Sequence, residues 1–407
     1  MPLYLRIFGA VGLGVAVGLV LGPQAAPLQI PSKLVLRVLG ALAPPLILLA
    51  IVQAFLQAQI AGRQTLRLAG LLLLNTLVAI CIGLAVANLI QPGRWSQMAP
   101  KVEAPPPDEG GLVAQFLESV PKSLLGPLAD DGKVLSVIFL AVALGIALRR
   151  VKHREIHTVE DVVHVSLDSL IVVLHWIIDV IPLAVFGIVA AIVGVKGFGD
   201  FVALGGFVVA VLVGLTLQAI YYLTRVRFGS WVRPLDLLRG TRDALVMAFS
   251  TGSSTATMPV TYACLREKVG LRPESASLGA LVGANFNNDG TALYEATAAL
   301  FVSQLLVAQS LAVPLTLGQQ FLLVLTSVVA SVGAAGIPEA GLVTMTLVFQ
   351  AVDLPKEYIA ILLTVDWFLD RCRTAINVMG DLNVSCLLDG KSRQQPTGHS
   401  VPAEAVP

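Results

Sequence analysis

Charged side chains are scarce in this sequence. Asp, Glu, Lys and Arg make up 13% of its 407 residues, whereas soluble globular proteins carry about 25%. So few charges leave too little polar surface to keep a monomer of this size in water, and 56% of the residues are hydrophobic. The net charge of +1 provides no basic excess that would attract nucleic acid. These shortages argue against a nucleic-acid-binding protein and favour an integral membrane protein surrounded by lipid.

Cysteine and histidine are also rare. The four cysteines lie far apart, at Cys81, Cys264, Cys372 and Cys386. Their spacing matches neither a disulfide framework nor a zinc site. An intramembrane hydrolase could use Ser253 or Ser254 as its nucleophile, but no histidine lies near them in the sequence and His175 stands alone in an apolar segment. We therefore predict neither an enzymatic activity nor a bound cofactor.

Long apolar segments predict an all-α polytopic membrane protein. A helical span needs about 20 mostly apolar residues, and eight candidates are found at 4–22, 34–58, 67–91, 134–150, 166–194, 201–225, 277–305 and 357–388. Basic residues gather in the connections that this order places inside, among them the group Arg225, Arg227, Arg233 and Arg239. Both termini are therefore predicted to be cytoplasmic, and the first segment is predicted to be a retained helix.

Two further apolar regions are interrupted in the middle. A Ser- and Thr-rich stretch divides residues 242–265, and a Gly- and Pro-containing stretch divides residues 319–351. The halves are too short to cross a bilayer, and irregular backbone at that depth survives only inside protein or beside a watery cavity. Interrupted segments in corresponding places of a chain indicate the binding site of a transporter. Both regions are predicted to be re-entrant helical hairpins.

The last predicted span carries a stripe of polar residues. Its members lie three or four positions apart, at Asp366, Asp370, Arg373, Asn377 and Asp381, so they share one face of a helix. Each charge costs about 2.5–3.5 kcal/mol at the bilayer centre even on the mildest scale. A purely structural ion-pair network is the alternative interpretation, but it would not require two broken hairpins. The stripe therefore predicts a site for charged cargo.

The chemistry of the stripe suggests what this cargo is. The guanidinium group of Arg373 can bind a carboxylate through two parallel hydrogen bonds, and Asp370 one turn earlier can accept an ammonium group. An anion site beside a cation site suits an amino acid with an extra carboxylate. Asn377 and Asp381 offer oxygen ligands to a cation such as Na⁺, and residues 285–291 offer more if Gly290 lets the chain unwind there.

Four motifs together carry a family resemblance. They are the Ser-rich stretch 250–255, Asn-x-Asp-Gly-Thr-Ala-Leu-Tyr at 287–294, Ala-Ala-Gly-Ile-Pro-x-Ala-Gly at 334–341 and Asp-Arg-x-Arg-Thr-x-x-Asn-Val-x-Gly-Asp at 370–381. They resemble the dicarboxylate/amino acid:cation symporter family, and in particular its excitatory amino acid (glutamate/aspartate) transporter branch. The resemblance implies the elevator-type glutamate transporter homologue fold, with eight transmembrane helices and two re-entrant hairpins, and a homotrimer. We expect it in a prokaryotic inner membrane.

The same resemblance implies a division of the chain. Residues 1–65 (spans one and two) and 94–195 (the external loop with spans four and five) would form the scaffold. Residues 66–93 (span three) and 196–390 (the remaining spans with both hairpins) would form the moving transport domain. Residues 391–407 would be a disordered cytoplasmic tail.

The resemblance also implies roles for individual residues. Arg373 would bind the side-chain carboxylate of the substrate, and Asp370 its amino group. The other substrate-binding positions are Ser253, Ser254, Thr291, Gly336, Pro338, Thr374 and Asn377. One Na⁺ site would comprise Gly283, Asn287, Asn377 and Asp381, and a second would comprise Asp289, with Asn75 and Thr76 contributed by the third span.

Proton or counter-ion coupling is implied for Glu295 and Arg371, and K⁺ counter-transport is a further option. The chain departs from the family pattern in three places: Asn288 replaces a methionine, Glu339 replaces a glutamine, and the third span has Leu72, Asn75 and Thr76 where the family has a tyrosine and a pair of hydroxyl residues. These departures leave the identity of the coupled cation, Na⁺ or H⁺, open. The alternatives are a carrier of C4-dicarboxylates, a carrier of neutral amino acids and a gated anion channel.

Overall fold

The computed structural model describes residues 3–35, 63–95, 156–197, 199–333 and 340–392, with isolated residues between 37 and 49 and between 144 and 148. These parts of the chain are helical and contain no β-strand, so the all-α prediction is confirmed for them. The predicted spans 34–58 and 134–150 lie largely outside the described residues. The tip 334–339 lies outside them too, and with it the predicted residues Gly336, Pro338 and Glu339, as does most of the predicted tail.

Twelve helices are numbered here in chain order over the described residues. The long ones are α1 (Leu3–Leu21), α2 (Arg63–Ile90), α3 (Val159–Lys196), α4 (Gly199–Gly229), α9 (Asp289–Ala308) and α12 (Ile359–Asp389). The shorter ones are α5 (Pro234–Gly240), α6 (Arg242–Thr251), α7 (Ser254–Ala263), α8 (Pro273–Ser277), α10 (Leu317–Gly333) and α11 (Ala340–Ala351). Within the described residues, five helical segments are long and apolar enough to cross a membrane: Leu5–Val35, Leu66–Arg94, Val159–Val195, Val202–Gly229 and Asp289–Ala308.

The predicted end of the first helix near residue 22 is confirmed, since α1 ends at Leu21. The chain then continues as a 3₁₀ turn over Gly22–Gln29 into a further helical segment that reaches Val35. One predicted boundary was wrong: α3 begins at Val159, before residue 166, where this span was predicted to start. The reason is a capping box: the Asp161 backbone N–H donates to Thr158 Oγ1 over 3.2 Å, and the Thr158 N–H donates to Asp161 Oδ2 over 2.7 Å.

The first interrupted region folds as two short helices, α6 and α7. Helix α6 ends at Thr251, and Gly252 follows with a φ of +64°, a left-handed conformation that glycine adopts at little cost. Ser253 then caps α7, because its Oγ accepts a hydrogen bond of 3.1 Å from the Ala256 N–H. The predicted break is therefore confirmed at Gly252 and Ser253. In the second region, α10 and α11 flank the tip on both sides.

The predicted span 277–305 is broken before its middle. A π-helical turn over Leu278–Val282 and a 3₁₀ turn over Gly283–Asn285 precede residues 286–288, which are not helical, and α9 starts only at Asp289. The chain thus unwinds close to the expected place. Helix α9 is buried along nearly its whole length, so this unwound segment lies inside protein, where irregular backbone can be satisfied.

Helix packing puts α9 and α12 in the centre of the described structure. Helix α9 packs against α2, and α12 packs against α4 and α6. Gly83 makes the close approach of α2 to α9 possible, because a Cβ atom there would come within 2.7 Å of the Leu293 carbonyl oxygen. Helices α1 and α3 pack mainly on each other and touch α12 from one side. The polar stripe of α12 therefore faces other helices.

Candidate functional site

Arg373 lies in the middle of α12 and is almost completely buried, with 1% of its surface exposed. Its Nη2 atom lies 2.7 Å from Asp370 Oδ1, to which it donates a hydrogen bond, and 3.0 Å from Asp366 Oδ1. The guanidinium carbon lies 4.0 Å from the centre of the Tyr294 ring on α9, a cation–π contact. A buried cation is thus held by two carboxylates of its own helix and one aromatic ring.

Arg371 connects α12 to the tip of the first hairpin. Its Nη1 atom donates hydrogen bonds of 2.8 Å to the Ser250 carbonyl oxygen and 3.3 Å to that of Phe249. These are among the last carbonyl groups of α6, where a positive charge is favourable. Gly252 completes the contact, because a Cβ atom at this position would lie 3.0 Å from Asp370 Oδ2. The tip therefore lies directly over the charged stripe.

The second hairpin approaches the same charges through its second arm. A Cβ atom on Gly341 would lie 2.5 Å from Arg373 Nη1 and 3.0 Å from Cζ. Such a distance is too short for any real contact, so the guanidinium group has this position only because residue 341 lacks a side chain. The α11 backbone is in this way one wall of the Arg373 site.

A cleft opens beside these charges. Its polar lining consists of Thr251, Gly252, Asp366, Asp370 and Arg371, and its apolar lining of Ile7, Ile181, Leu342, Leu363 and Trp367. Because Ile7 lies on α1 and Ile181 on α3, the cleft lies where the α1–α3 pair meets the rest of the structure. Asp370 therefore lines this cleft while it also pairs with Arg373.

A second polar cluster surrounds the unwound segment before α9. Asn287 donates through Nδ2 to Asp381 Oδ1 over 2.9 Å and to the Asn377 carbonyl oxygen over 2.8 Å. The Oδ1 atom of Asn287 is buried and has no hydrogen-bond partner within the described residues. Gly283 lies against the same carboxylate, since its Cβ would be 2.9 Å from Asp381 Oδ1. These oxygen atoms suit a hard cation.

The side chain of Asn377 holds the unwound segment in place. Its Oδ1 atom accepts a hydrogen bond of 2.8 Å from the Gly290 N–H, and its Nδ2 atom donates over 3.2 Å to Asn288 Oδ1. Asn288 in turn donates over 3.0 Å to the Ser331 carbonyl oxygen on α10. Asn288, which departs from the family pattern, thus bridges α12 and the second hairpin.

A third cluster surrounds Asp289, which is fully buried. Thr76 on α2 donates over 2.6 Å to its Oδ1 atom, and Tyr222 on α4 donates over 2.5 Å to Oδ2. Next to Thr76, Asn75 accepts a hydrogen bond from Arg225 Nη1. Arg225, which the sequence places among the basic residues of a predicted connection, lies within α4 and is half-buried.

Glu295 lies one residue beyond Tyr294 on α9 and is also fully buried. Thr344 on α11 donates a hydrogen bond to its Oε1 atom. The Ser327 hydroxyl on α10 lies next to the same carboxyl group, although neither it nor Glu295 Oε2 makes a hydrogen bond of normal geometry in the described part of the chain. Glu295 therefore touches both arms of the second hairpin.

Comparison with known proteins decides the family. The model of the sodium:dicarboxylate symporter family matches residues 3–391 of this chain.

The chain belongs to the sodium:dicarboxylate symporter family.

Individual relatives agree with this membership. Mouse excitatory amino acid transporter 4 is 30% identical over 95% of this chain and 82% of its own length. Human excitatory amino acid transporter 5 is 31% identical over 87% of this chain and 74% of its own. An excitatory amino acid transporter of Caenorhabditis elegans is 38% identical over 61% of this chain and 49% of its own. The chain is accordingly an integral membrane transporter of a sodium-coupled family, and the hydrolase alternative has no support.

The structure of this symporter brings most of the predicted site residues together. Arg373, Asp370 and Arg371 meet both hairpins, and Asn287, Asn377 and Asp381 meet around the unwound segment. Two other predicted residues make hydrogen bonds within their own helices: the Thr374 hydroxyl donates to the Asp370 carbonyl oxygen over 2.8 Å, and Ser253 caps α7. Thr291 is buried in α9.

Sequence reasoning missed the contributions of Tyr294 and Tyr222. Tyr294 could have been found, since it stands inside a quoted motif beside Glu295. Tyr222 could not, because the sequence does not show that it meets Asp289, which lies 67 positions further along the chain.

Proposed function

We propose that this symporter carries acidic amino acids, aspartate, glutamate or both, across the membrane together with Na⁺. The observation behind this proposal is the pair formed by the buried Arg373 and the half-buried Asp370, whose charged groups lie 2.7 Å apart at the side of a cleft. Each charge can serve one end of an amino acid. The names of the relatives, which are excitatory amino acid transporters, point to the same substrates.

Substrate binding is proposed to occur by exchange of partners. Without substrate, Arg373 and Asp370 neutralise each other, which avoids the cost of an isolated buried charge. With substrate, Arg373 binds the side-chain carboxylate, and Asp370 accepts the ammonium group. The N-terminus of α7 at Ser253 and Ser254 offers backbone N–H groups to the α-carboxylate. Thr291, Thr374 and Asn377 complete this proposed site, with Gly336 and Pro338 contributed by the second hairpin.

The two rival substrate classes each leave one of these charges unused. A C4-dicarboxylate has no ammonium group, so Asp370 would face two carboxylates. A neutral amino acid has no second carboxylate, so Arg373 would remain buried beside an apolar side chain. A buried charge that loses its partner costs about 3–5 kcal/mol. An acidic amino acid satisfies both groups, and this is why it is the proposed cargo.

Na⁺ is proposed to bind where the chain unwinds before α9. The Asp381 carboxylate, the unpartnered Oδ1 atom of Asn287 and carbonyl groups of Gly283 and Asn377 offer hard oxygen ligands inside the protein. We further propose that Glu295 carries a proton, since its buried carboxyl group lies between α9 and the second hairpin, and that Arg371 serves the counter-ion step. K⁺ counter-transport would use this same charged region.

An elevator movement is proposed for the whole chain. Residues 1–65 and 94–195 would form the scaffold, and residues 66–93 and 196–390 the moving transport domain. The mutual packing of α1 and α3, separate from the tight bundle of α2, α4, α9 and α12, supports this division. We also propose a homotrimer in a prokaryotic inner membrane with both termini in the cytoplasm, because the basic residues of the sequence favour that orientation.

Competition uptake in proteoliposomes tests the substrate class. Labelled L-aspartate would be taken up in the presence of unlabelled aspartate, glutamate, succinate or serine in excess. We expect aspartate or glutamate to compete, and succinate and serine to leave uptake close to its uncompeted rate. Arg373→Ala should abolish aspartate uptake, whereas Arg227→Ala, an exposed arginine of α4, should not. Strong competition by succinate or serine, or unchanged uptake by Arg373→Ala, would refute the proposal.

A further inference from the structure

Two aspartates share the buried region around the unwound segment. Asp289 has none of its surface exposed, and Asp381 has 1% exposed. They act on each other electrostatically. Two anions cannot remain charged inside a membrane protein without cations nearby, so each aspartate needs a source of positive charge. The structure provides that charge differently for the two.

Within the described residues, the Asp381 carboxylate has no arginine or lysine acting on it. Two described residues act on this carboxylate. Asn287 is neutral and donates a hydrogen bond to it, and Asp289 is another acidic residue. The adjacent Asn287 Oδ1 atom is buried and lacks a hydrogen-bond partner within the described chain. An uncompensated carboxylate beside an unpartnered amide oxygen is an arrangement that a mobile cation would complete.

Asp289 has a protein cation close to it. Arg225 acts on its carboxylate electrostatically but does not contact it, since Thr76 and Tyr222 already donate to the two carboxylate oxygens. Tyr222 and Arg225 are three residues apart on α4, so they face the same way. One residue supplies a hydroxyl donor to Asp289, and the other supplies a positive charge beside it.

The guanidinium group of Arg225 is also fixed in position. Its Nη1 atom donates to Asn75 Oδ1. The Asn75 backbone carbonyl accepts a hydrogen bond of 3.4 Å from Nε2 of Gln218, which lies about two turns before Arg225 on α4. The Asn75 side chain donates over 3.4 Å to Asn383 Oδ1 on α12. Asn75 is therefore committed to protein partners on two helices, and its oxygen holds the arginine.

We infer that Arg225 is a tethered cation that neutralises Asp289 in place of one coupled Na⁺. This inference rests on the proposed Na⁺ symport and refines it. The second Na⁺ site implied by the family resemblance, made of Asp289, Asn75 and Thr76, does not fit this chain, because the amide oxygen of Asn75 binds the guanidinium group. The mobile Na⁺ of this region binds at Asp381 and Asn287 instead. The chain thereby couples about one Na⁺ fewer per substrate than a carrier in which both aspartates bind Na⁺.

Anomalous scattering from Tl⁺ tests this on the unmodified protein. Tl⁺ serves as a heavy monovalent cation in place of Na⁺, and its peaks can be located in crystals of the full chain. We expect a peak beside Asp381 and Asn287, and none within coordination distance of the Asp289 carboxylate. A peak at Asp289 would overturn the inference and leave the proposed function intact. Peaks at neither aspartate would overturn the proposed Na⁺ site itself, and the inference with it.

Flux ratios in variants provide an independent test. The ratio of ²²Na⁺ to labelled aspartate taken up would be measured for the wild type, for Arg225→Gln and for Arg227→Gln, the exposed control on the same helix. Arg225→Gln should raise the ratio by about one, because Asp289 then needs a mobile cation, and Arg227→Gln should not change it. An active Arg225→Gln carrier with the wild-type ratio would overturn the inference.

A double variant that removes the charges of both Arg225 and Asp289 provides a third test. If Arg225→Gln is inactive, the double variant Arg225→Gln/Asp289→Asn removes both charges and should restore uptake at the wild-type ratio. Asp289→Asn alone tests the alternative in which Asp289 itself binds Na⁺. In that case this variant would lower the ratio of Na⁺ to aspartate by about one. That lower ratio, or a double variant less active than either single one, would count against Arg225 as the tethered cation.

Discussion

At the scale of residues, this symporter buries charged side chains, each of which would be strongly destabilising without an oppositely charged partner. Arg373 is buried beside Asp366 and the half-buried Asp370, and its guanidinium group is held by these carboxylates and the Tyr294 ring. Burial of such a pair does not by itself stabilise a fold. The proposed exchange of Asp370 for a substrate carboxylate would account for the position of the pair beside a cleft.

Asp370→Asn should weaken amino acid binding selectively. The amide keeps the size of the carboxylate but cannot neutralise an ammonium group, and a hydrogen bond to a charged group is worth about 1.5–3 kcal/mol. The KM for aspartate should therefore rise about ten- to hundred-fold, and succinate should become a better competitor than it is in the wild type. Asp353→Asn, an exposed turn residue, is the matched control. An unchanged KM for Asp370→Asn would contradict the assignment.

Glu295→Gln should uncouple protons from transport. The glutamine imitates the protonated carboxyl group and can still accept the Thr344 hydrogen bond, so the fold should be kept. We expect aspartate uptake driven by Na⁺ to persist, while an imposed pH gradient no longer changes its rate. The control is Glu274→Gln at the exposed start of α8. A pH gradient that still drives the Glu295→Gln carrier would show that the proton travels elsewhere.

The residues of the site differ in how far sequence could predict them. Arg373, Asp370 and Asp381 were predictable, because charges in an apolar span are costly and their helical spacing puts them on one face. Arg225 was not, because an arginine near the end of an apolar helix looks like a charge of the cytoplasmic boundary. Its partner Asn75 lies 150 positions away in the chain, and only the folded structure brings the two together.

At the scale of elements, the close approach of the second hairpin to Arg373 gives a sharp test. Gly341→Ala would place a methyl group 2.5 Å from Arg373 Nη1, and the guanidinium group must then move away from its carboxylate partners. We expect aspartate uptake to fall at least about tenfold, since misplacement of a binding group by an ångström is costly. Expression and thermal stability in detergent should change much less.

The control for this substitution lies in the same hairpin. Gly318→Ala adds a methyl group whose nearest neighbour is 3.9 Å away, an ordinary contact distance. It should transport aspartate at the wild-type rate. If both alanine variants behave alike, the proximity of Gly341 to Arg373 has no functional meaning.

Hydropathy predicted the breaks within helical segments more accurately than it predicted the ends of helices. The breaks at Gly252 and before Asp289 were predictable, because polar and glycine residues interrupt apolar runs there. The start of α3 at Val159 was missed, because a capping box extends a helix through residues that hydropathy assigns to a linker. The end of α1 at Leu21 was predictable, but the 3₁₀ turn over Gly22–Gln29 that follows it was not.

At the scale of the whole molecule, the proposed elevator movement requires the α1–α3 pair and α12 to slide past each other. Ile181 on α3 and Leu363 on α12 line one cleft. In a background without the four native cysteines, the pair Ile181→Cys and Leu363→Cys should be bridged by Hg²⁺, and the bridge should stop transport. A thiol reductant should restore it, and each single cysteine variant is the control. Full transport by the bridged protein would contradict the movement.

Coupled accumulation of substrate tests the central claim most directly. Purified wild-type protein would be reconstituted into proteoliposomes, and the uptake of labelled L-aspartate and L-glutamate would be followed with Na⁺, H⁺ and K⁺ gradients imposed one at a time. The account predicts that an inward Na⁺ gradient drives at least one of these acidic amino acids to an internal concentration above the external one, and that collapse of the gradient releases it. Equilibration without accumulation under every Na⁺ gradient would contradict it.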